Sequence, residues 1–153
     1  METTKETIEI LQDLVQINND RITGYERAIK ELDNEDEDLK VLFATMIAQS
    51  HRAKMALAEE VQVMGKNVDK GTTASGKIYR AWMDLKAVFT GHSRHAVLEN
   101  CHAGEDAARK AYETALKAEH LPAYLREMIE KQLKTIRESH DEIKALAMQE
   151  ENS

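Results

Sequence analysis

Four side chains have types and spacing that could do chemistry: Glu99, His102, Glu105 and His140. Glu99-Asn-Cys-His102 is a Glu-x-x-His pair, and a spacing of three puts the carboxylate and the imidazole on one helix face. Carboxylates suit hard iron, and imidazole suits iron or zinc, so such a pair is half of what a metal centre in a helical bundle requires. Glu105 falls on the same side of the run His95–Tyr112 as Leu98, Ala108 and Tyr112, which should be buried. A buried carboxylate must be hydrogen-bonded, ion-paired or metal-bound, or else take up a proton.

The rest of the ligand inventory is short. A di-iron carboxylate bundle needs a Glu from each of two helices and Glu-x-x-His from each of the other two. An antiparallel return after residues 120–121 sets 99–102 level with roughly 138–141, where Glu138, His140 and Asp141 stand, and with the layer from Ile22 to Glu26. Glu138 and His140 are two apart and point to different faces. At the same level the second helix offers Thr45, Ala48 and Gln49, while Glu59 and Glu60 lie about 15 Å further along the axis. An orthodox di-iron site is therefore not expected. What the spacing allows is a single iron or zinc ion held by Glu99, His102 and His140, or by Glu105 and His140. The preferred reading has no cofactor: Glu105 and His140 are hydrogen-bonded core or boundary residues that set helix register.

Other constellations read as structural. Gly71-Thr-Thr-Ala-Ser-Gly76-Lys77 fits most of a phosphate loop, but Ile78 replaces the final hydroxyl residue and no strand precedes it. Thr72 or Thr73 is expected to cap a short helix there instead. The acidic run ELDNEDED, residues 31–38, lacks the Gly of a calcium loop, and Asn34 followed by Glu37 has capping-box spacing. His92 and His95, three apart, could hold an adventitious metal but are expected to be ordinary exposed histidines. Cys101 stands alone, so no internal disulfide forms, and it reads as a small buried side chain rather than a nucleophile.

The elements that must position these residues are helices. Ile8, Leu11, Val15, Asn18, Ile22, Tyr25, Ile29 and Leu32 alternate steps of three and four, with Asn18 as a register-fixing exception. The patterns predict helices over about 4–32, 35–64, 77–90, 93–119 and 122–148. Gly65 is expected to stop the second, Ser93 to cap the fourth, and Pro122 to open the last. The short segment holding Ile78, Trp82, Leu85 and Phe89 can act as a crossover between opposite ends of the bundle, with Trp82 clamping it down. The expected fold is all-α: one domain over 1–153, a ferritin-like four-helix bundle whose long crossover carries a short extra helix.

A net charge of −7 without a basic cluster argues against nucleic-acid binding. No apolar run approaches the ~20 residues of a membrane span, and the polar N-terminus carries no signal region. A cytoplasmic location is expected.

INNDRITGYERA, GTTASGKIYRAWMDLKAVFTG, the run from His95 to Tyr112, and SHDEIKAL together resemble a bacterial family of small four-helix-bundle proteins of unknown function. The resemblance spans nearly the whole chain and implies a ferritin-like bundle; it brings no activity with it. The expected function is non-enzymatic: a bundle that self-associates, with a homodimer as the base-rate assembly, or binds a protein partner, as a stress-related accessory. The alternative is a divergent metal-binding bundle with an incomplete di-iron ligand set.

Overall fold

Helix α1 (Glu2–Glu31) buries far more than one stripe, because it packs against three neighbours. These are α2 (Glu37–Val63), α3 (Lys77–Leu85) and α4 (Arg94–Ala115); α5 (Ala123–Asn152) packs on α4. The computed structural model describes residues 2–65, 76–85 and 91–152, and among them there is no strand. Every residue from Asp13 to Asn18 is buried.

The chain runs up α1, down α2, and returns through α3 to the end where it began its descent. Arg94, the first residue of α4, sits against Asp36 and Asp38 at the start of α2. So α4 descends parallel to α2 and α5 rises beside it, the one-crossover connectivity expected from the sequence. Trp82 is buried, and its indole Nε1–H donates to Asp20 Oδ2 at 2.9 Å. The Tyr79 hydroxyl donates to the same oxygen at 2.8 Å, so one α1 carboxylate pins both aromatics of α3.

Helix ends differ from expectation in instructive ways. Ser93 caps α4 as anticipated, accepting from the Ala96 N–H at 3.0 Å. Gly65 takes φ +83 just past α2, a conformation that suits a residue without Cβ. The Asn34–Glu37 capping box does not form: Asp36 holds the cap position of α2 without a side-chain cap bond, because its carboxylate accepts from Arg94. Helix α4 ends at Ala115 rather than near 119, since the Arg126 guanidinium satisfies the carbonyls of Leu116 and Ala118, both at 2.6 Å. Pro122 lies one residue before α5, and α5 continues to Asn152.

The apolar core is divided in two. One cluster joins the first half of α1 to the ends of α2 and α4, the start of α5, and Ile78 and Trp82 of α3. The other joins the end of α1 to the starts of α2 and α4 and the end of α5, around Tyr25, Phe43 and Leu98. Between them lie the buried polar residues Asn18, Arg21, Ser50, Glu105 and Ser139. Among the described residues no helix is long and apolar enough to cross a membrane.

Candidate functional site

The polar layer is built from residues that helix geometry carries to one level. On α1, Asn18, Arg21 and Tyr25 are spaced three and four apart and share a face. On α4, Cys101, Glu105, Ala108 and Tyr112 do the same, which places Glu105 opposite Arg21. The Arg21 Nε–H donates to Glu105 Oε1 at 2.9 Å and its Nη2–H to Oε2 at 3.0 Å, a bidentate pair. Arg21 is 5% exposed and Glu105 1%, so both charges are out of water.

The pair is tied into a chain of bonds that reaches every long helix. Arg21 Nη1–H donates to Asn18 Oδ1 at 3.1 Å. Asn18 Nδ2 donates to the Leu14 carbonyl at 2.9 Å and to the Tyr112 hydroxyl at 2.8 Å. Tyr112 donates onward to Gln132 Oε1 on α5 at 2.7 Å, and Gln132 Nε2 donates to the Ala53 carbonyl on α2 at 3.3 Å. Such a network, satisfied along its length, fixes one register for the bundle. Burial opposes the Arg21 charge, but the Glu105 carboxylate outweighs it and holds the guanidinium pKa above its ordinary value. Burial, then Glu105, push the Cys101 thiol well up, which leaves it a poor nucleophile. Burial likewise raises Tyr25 and, to about 12, Tyr112. The Tyr25 hydroxyl is buried with no hydrogen-bond partner among the described residues.

This layer does not fit a di-iron centre. Among the described residues the belt brings one carboxylate, Glu105, and both its oxygens go to an arginine. Where the fold's ligand pattern requires acids on the remaining helices, α1 supplies Asn18 and Arg21, α2 supplies Gln49 and Ser50, and α5 supplies Gln132 and Ser139. A guanidinium already occupies the position in which a cation would neutralise Glu105.

The histidines form a separate, partly buried pair nearer the surface. His102 Nε2 lies 3.1 Å from His140 Nε2, so the predicted level match between residues 99–102 and 138–141 is realised. Glu105 is not brought to His140. Arg21 takes Glu105 inward, while His140 lies 3.4 Å from Asp106 Oδ1 and 3.1 Å from Asp141 Oδ1. Glu99 is exposed. Asp106 is held by Arg109 at 2.8 Å and Lys110 at 3.2 Å, and Arg109 above all keeps its carboxyl down at about 2. Burial, then His140, hold His102 below the ordinary imidazole range. No group of three or more His, Cys, Asp or Glu able to hold a metal ion is assembled among the described residues.

Two further acids matter that sequence reasoning passed over, Asp20, which holds Tyr79 and Trp82, and Asp13. Asp13 is buried and accepts from the Tyr79 N–H at 3.2 Å, so it meets the N-terminus of α3. The residues expected to cap that helix, Thr72 and Thr73, lie outside the described residues, as do Gly71, Ala74 and Ser75. A Cβ on Gly76 would stand 1.8 Å from Asp13 Oδ2, so glycine there makes room for the carboxylate. Lys77 is exposed. His92 contacts Glu31, and His95 Nδ1 is buried without a partner among the described residues. Arg21 itself had one signal in the sequence, its spacing of three from Asn18 and four from Tyr25. Its charge hid it, since an arginine on a helix is by default solvated.

The sequence profile of a family described as Domain of unknown function (DUF2383) matches residues 6–119. Among curated proteins, none matches the chain in sequence. A solved structure described as that of ferritin like, diiron-carboxylate proteins from Bacillus anthracis str. Ames is similar, with a TM-score of 0.72 and 18% identity. The match covers 96% of this chain and 99% of that one, and it shows that the fold is ferritin-like.

Proposed function

We propose, for a chain that belongs to the family described as Domain of unknown function (DUF2383), a non-enzymatic role as a self-associating accessory bundle. The observation that carries this reading is the outer face of α2. Val41, Ala44, Ala48, His51 and Met55 follow steps of three and four, and all are exposed. Val41 is 65% exposed and Met55 64%. The same helix buries Leu39, Phe43, Met46, Leu57 and Val61 on the opposite side. Apart from His51 this outer stripe is apolar, and a helix with apolar stripes on two faces has use for two partners: its own bundle and a second helix. Ala44 and Ala48 leave room for a close approach, and an isologous dimer would set two copies of α2 against each other. The Arg21–Glu105 pair supports the non-enzymatic part, because the layer where this fold builds redox centres is filled by a neutralised, hydrogen-bonded ion pair. A cytoplasmic setting suits the lone Cys101.

Sedimentation velocity tests the reading. The native chain is expected to be a dimer, and Ala48→Glu or Met55→Glu, each at an exposed position, should give folded monomers. A native chain that stays monomeric at about 100 µM, weaker than ordinary specific association, overturns it.

A second reading, a divergent bundle binding one iron or zinc ion, draws on the His102–His140 contact. Two imidazole nitrogens on one tetrahedral zinc stand about 3.3 Å apart, given bonds of about 2.0–2.1 Å. The observed 3.1 Å is close to that edge, while Asp106 Oδ1, 3.4 Å from His140 Nε2, is held by Arg109 and Lys110. Elemental analysis of tag-free protein decides: stoichiometric metal that disappears in His102→Ala and His140→Ala supports this reading, and none in the native chain removes it.

A further inference from the structure

A cavity of about 240 Å³ opens between α2 and α5, with Arg21 of α1 beneath it. Arg21, Gln49, Arg52, Lys131, Gln132 and Thr135 supply its polar lining. No carboxylate lines it, although Asp and Glu outnumber Lys and Arg by 28 to 21 in the sequence. It adjoins the polar belt at Arg21 but reaches the surface, where Arg52 and Lys131 form an exposed rim.

The lining has unused donors. A guanidinium carries five N–H groups. Arg21 spends three of them, one from each nitrogen, on Glu105 and Asn18. The second hydrogens of Nη1 and Nη2 have no partner among the described residues, on a side chain only 5% exposed. Gln49 accepts from the Ser139 hydroxyl through Oε1 at 3.3 Å, which leaves its amide NH2 to donate. Arg52 has no ion pair among the described residues, and Lys131 has a loose one to Glu127 at 3.5 Å. The two amide oxygens of the lining each accept a bond already, Gln132 Oε1 from the Tyr112 hydroxyl and Gln49 Oε1 from Ser139, and the Thr135 hydroxyl gives its proton to the Lys131 carbonyl. Donors and positive charge therefore dominate the lining.

We propose that this cavity binds a small oxyanion, a phosphate or carboxylate group, with Arg21 and Gln49 at its floor and Arg52 and Lys131 closing over it. Arg21 is the positioning element: Glu105 and Asn18 hold its fork rigid, so its free N–H groups are aimed before a ligand arrives. Glu105 cancels the charge of Arg21, and attraction for the anion then comes from the two rim cations. The volume, below the roughly 300–1,000 Å³ of drug-sized sites, suits a small acid rather than a nucleotide. Bound there, an anion would bridge α2 and α5, adding to the long Gln132–Ala53 and Ser139–Gln49 bonds at that level. The proposal does not depend on self-association.

The test is NMR titration of the full chain at fixed ionic strength, with inorganic phosphate in one arm and succinate in the other. The expected result is saturable movement of the Arg21 Nε–H and Gln49 side-chain amide signals in at least one arm. The arm that saturates identifies the group. Arg52→Gln/Lys131→Gln, both at exposed positions, should weaken that binding about tenfold, the loss expected when rim charge is removed. A preserved amide spectrum confirms that this variant folds. Two results overturn the proposal: shifts that stay unsaturated in both arms to about 50 mM, or saturation with the same affinity in the double variant.

Discussion

Replacing Arg21 by Met is the most informative single perturbation of this molecule. The substitution keeps a flexible apolar stem in the core but deletes the donors of three hydrogen bonds, two to Glu105 and one to Asn18. Glu105, 1% exposed, is then a carboxylate without water or counter-charge. Removing one partner of a buried ion pair destabilises by about 3–5 kcal/mol. At about 2–4 °C per kcal/mol for a chain of this size, the melting temperature should fall by roughly 10 °C at pH 7. Arg21→Met/Glu105→Leu removes both charges, and because apolar replacement of a whole buried pair is neutral or stabilising, it should recover most of the loss. A single variant within about 1 kcal/mol of native stability, or a double variant no more stable than the single one, would refute the dependence of Glu105 on Arg21 as its counter-charge.

Three further outcomes follow from the helix junctions. Gly76→Ala puts a Cβ onto the Asp13 carboxylate, so either that carboxylate gives up its bond from the Tyr79 N–H or α3 shifts; a loss of about 1–3 kcal/mol in denaturant melts is expected, and unchanged stability would contradict the close approach. Asp13 itself, raised by burial from 3.8 to about 6 despite the opposing bond from the Tyr79 N–H, should give a carboxyl NMR titration centred near pH 6. Because the folded-state value is the higher one, this group's contribution to stability is present below its unfolded value and fades as pH rises through about 6; a midpoint near 4 would show it solvated. Ser93→Ala removes the α4 cap bond to the Ala96 N–H and should cost about 1 kcal/mol in denaturant melts, with Ser93→Asp retaining stability.

The sequence by itself determined the architecture. The steps of three and four in α1, α2, α4 and α5, Ser93 as a cap and Gly65 as a stop are local signals, and backbone geometry converts them directly into helices of known face and length. The short α1–α2 link and the segment around Trp82 then leave one economical topology. Even the meeting of His102 with His140 could be anticipated, because level along two antiparallel helices follows from counting residues out from their turn. Which partner a buried charge takes was a different kind of question. Glu105 could be seen to need a cation or a proton, but Arg21 lies 84 positions away, and nothing local marks an arginine on a helix as a buried partner. Asp13, Asp20 and Gly76 were equally silent, since their roles exist only once α3 is laid across α1. Pairings across helices depend on azimuth and side-chain reach as well as level, and only the folded chain fixes those together. That is why a core built like a metal site, seen one helix at a time, holds an arginine at its centre.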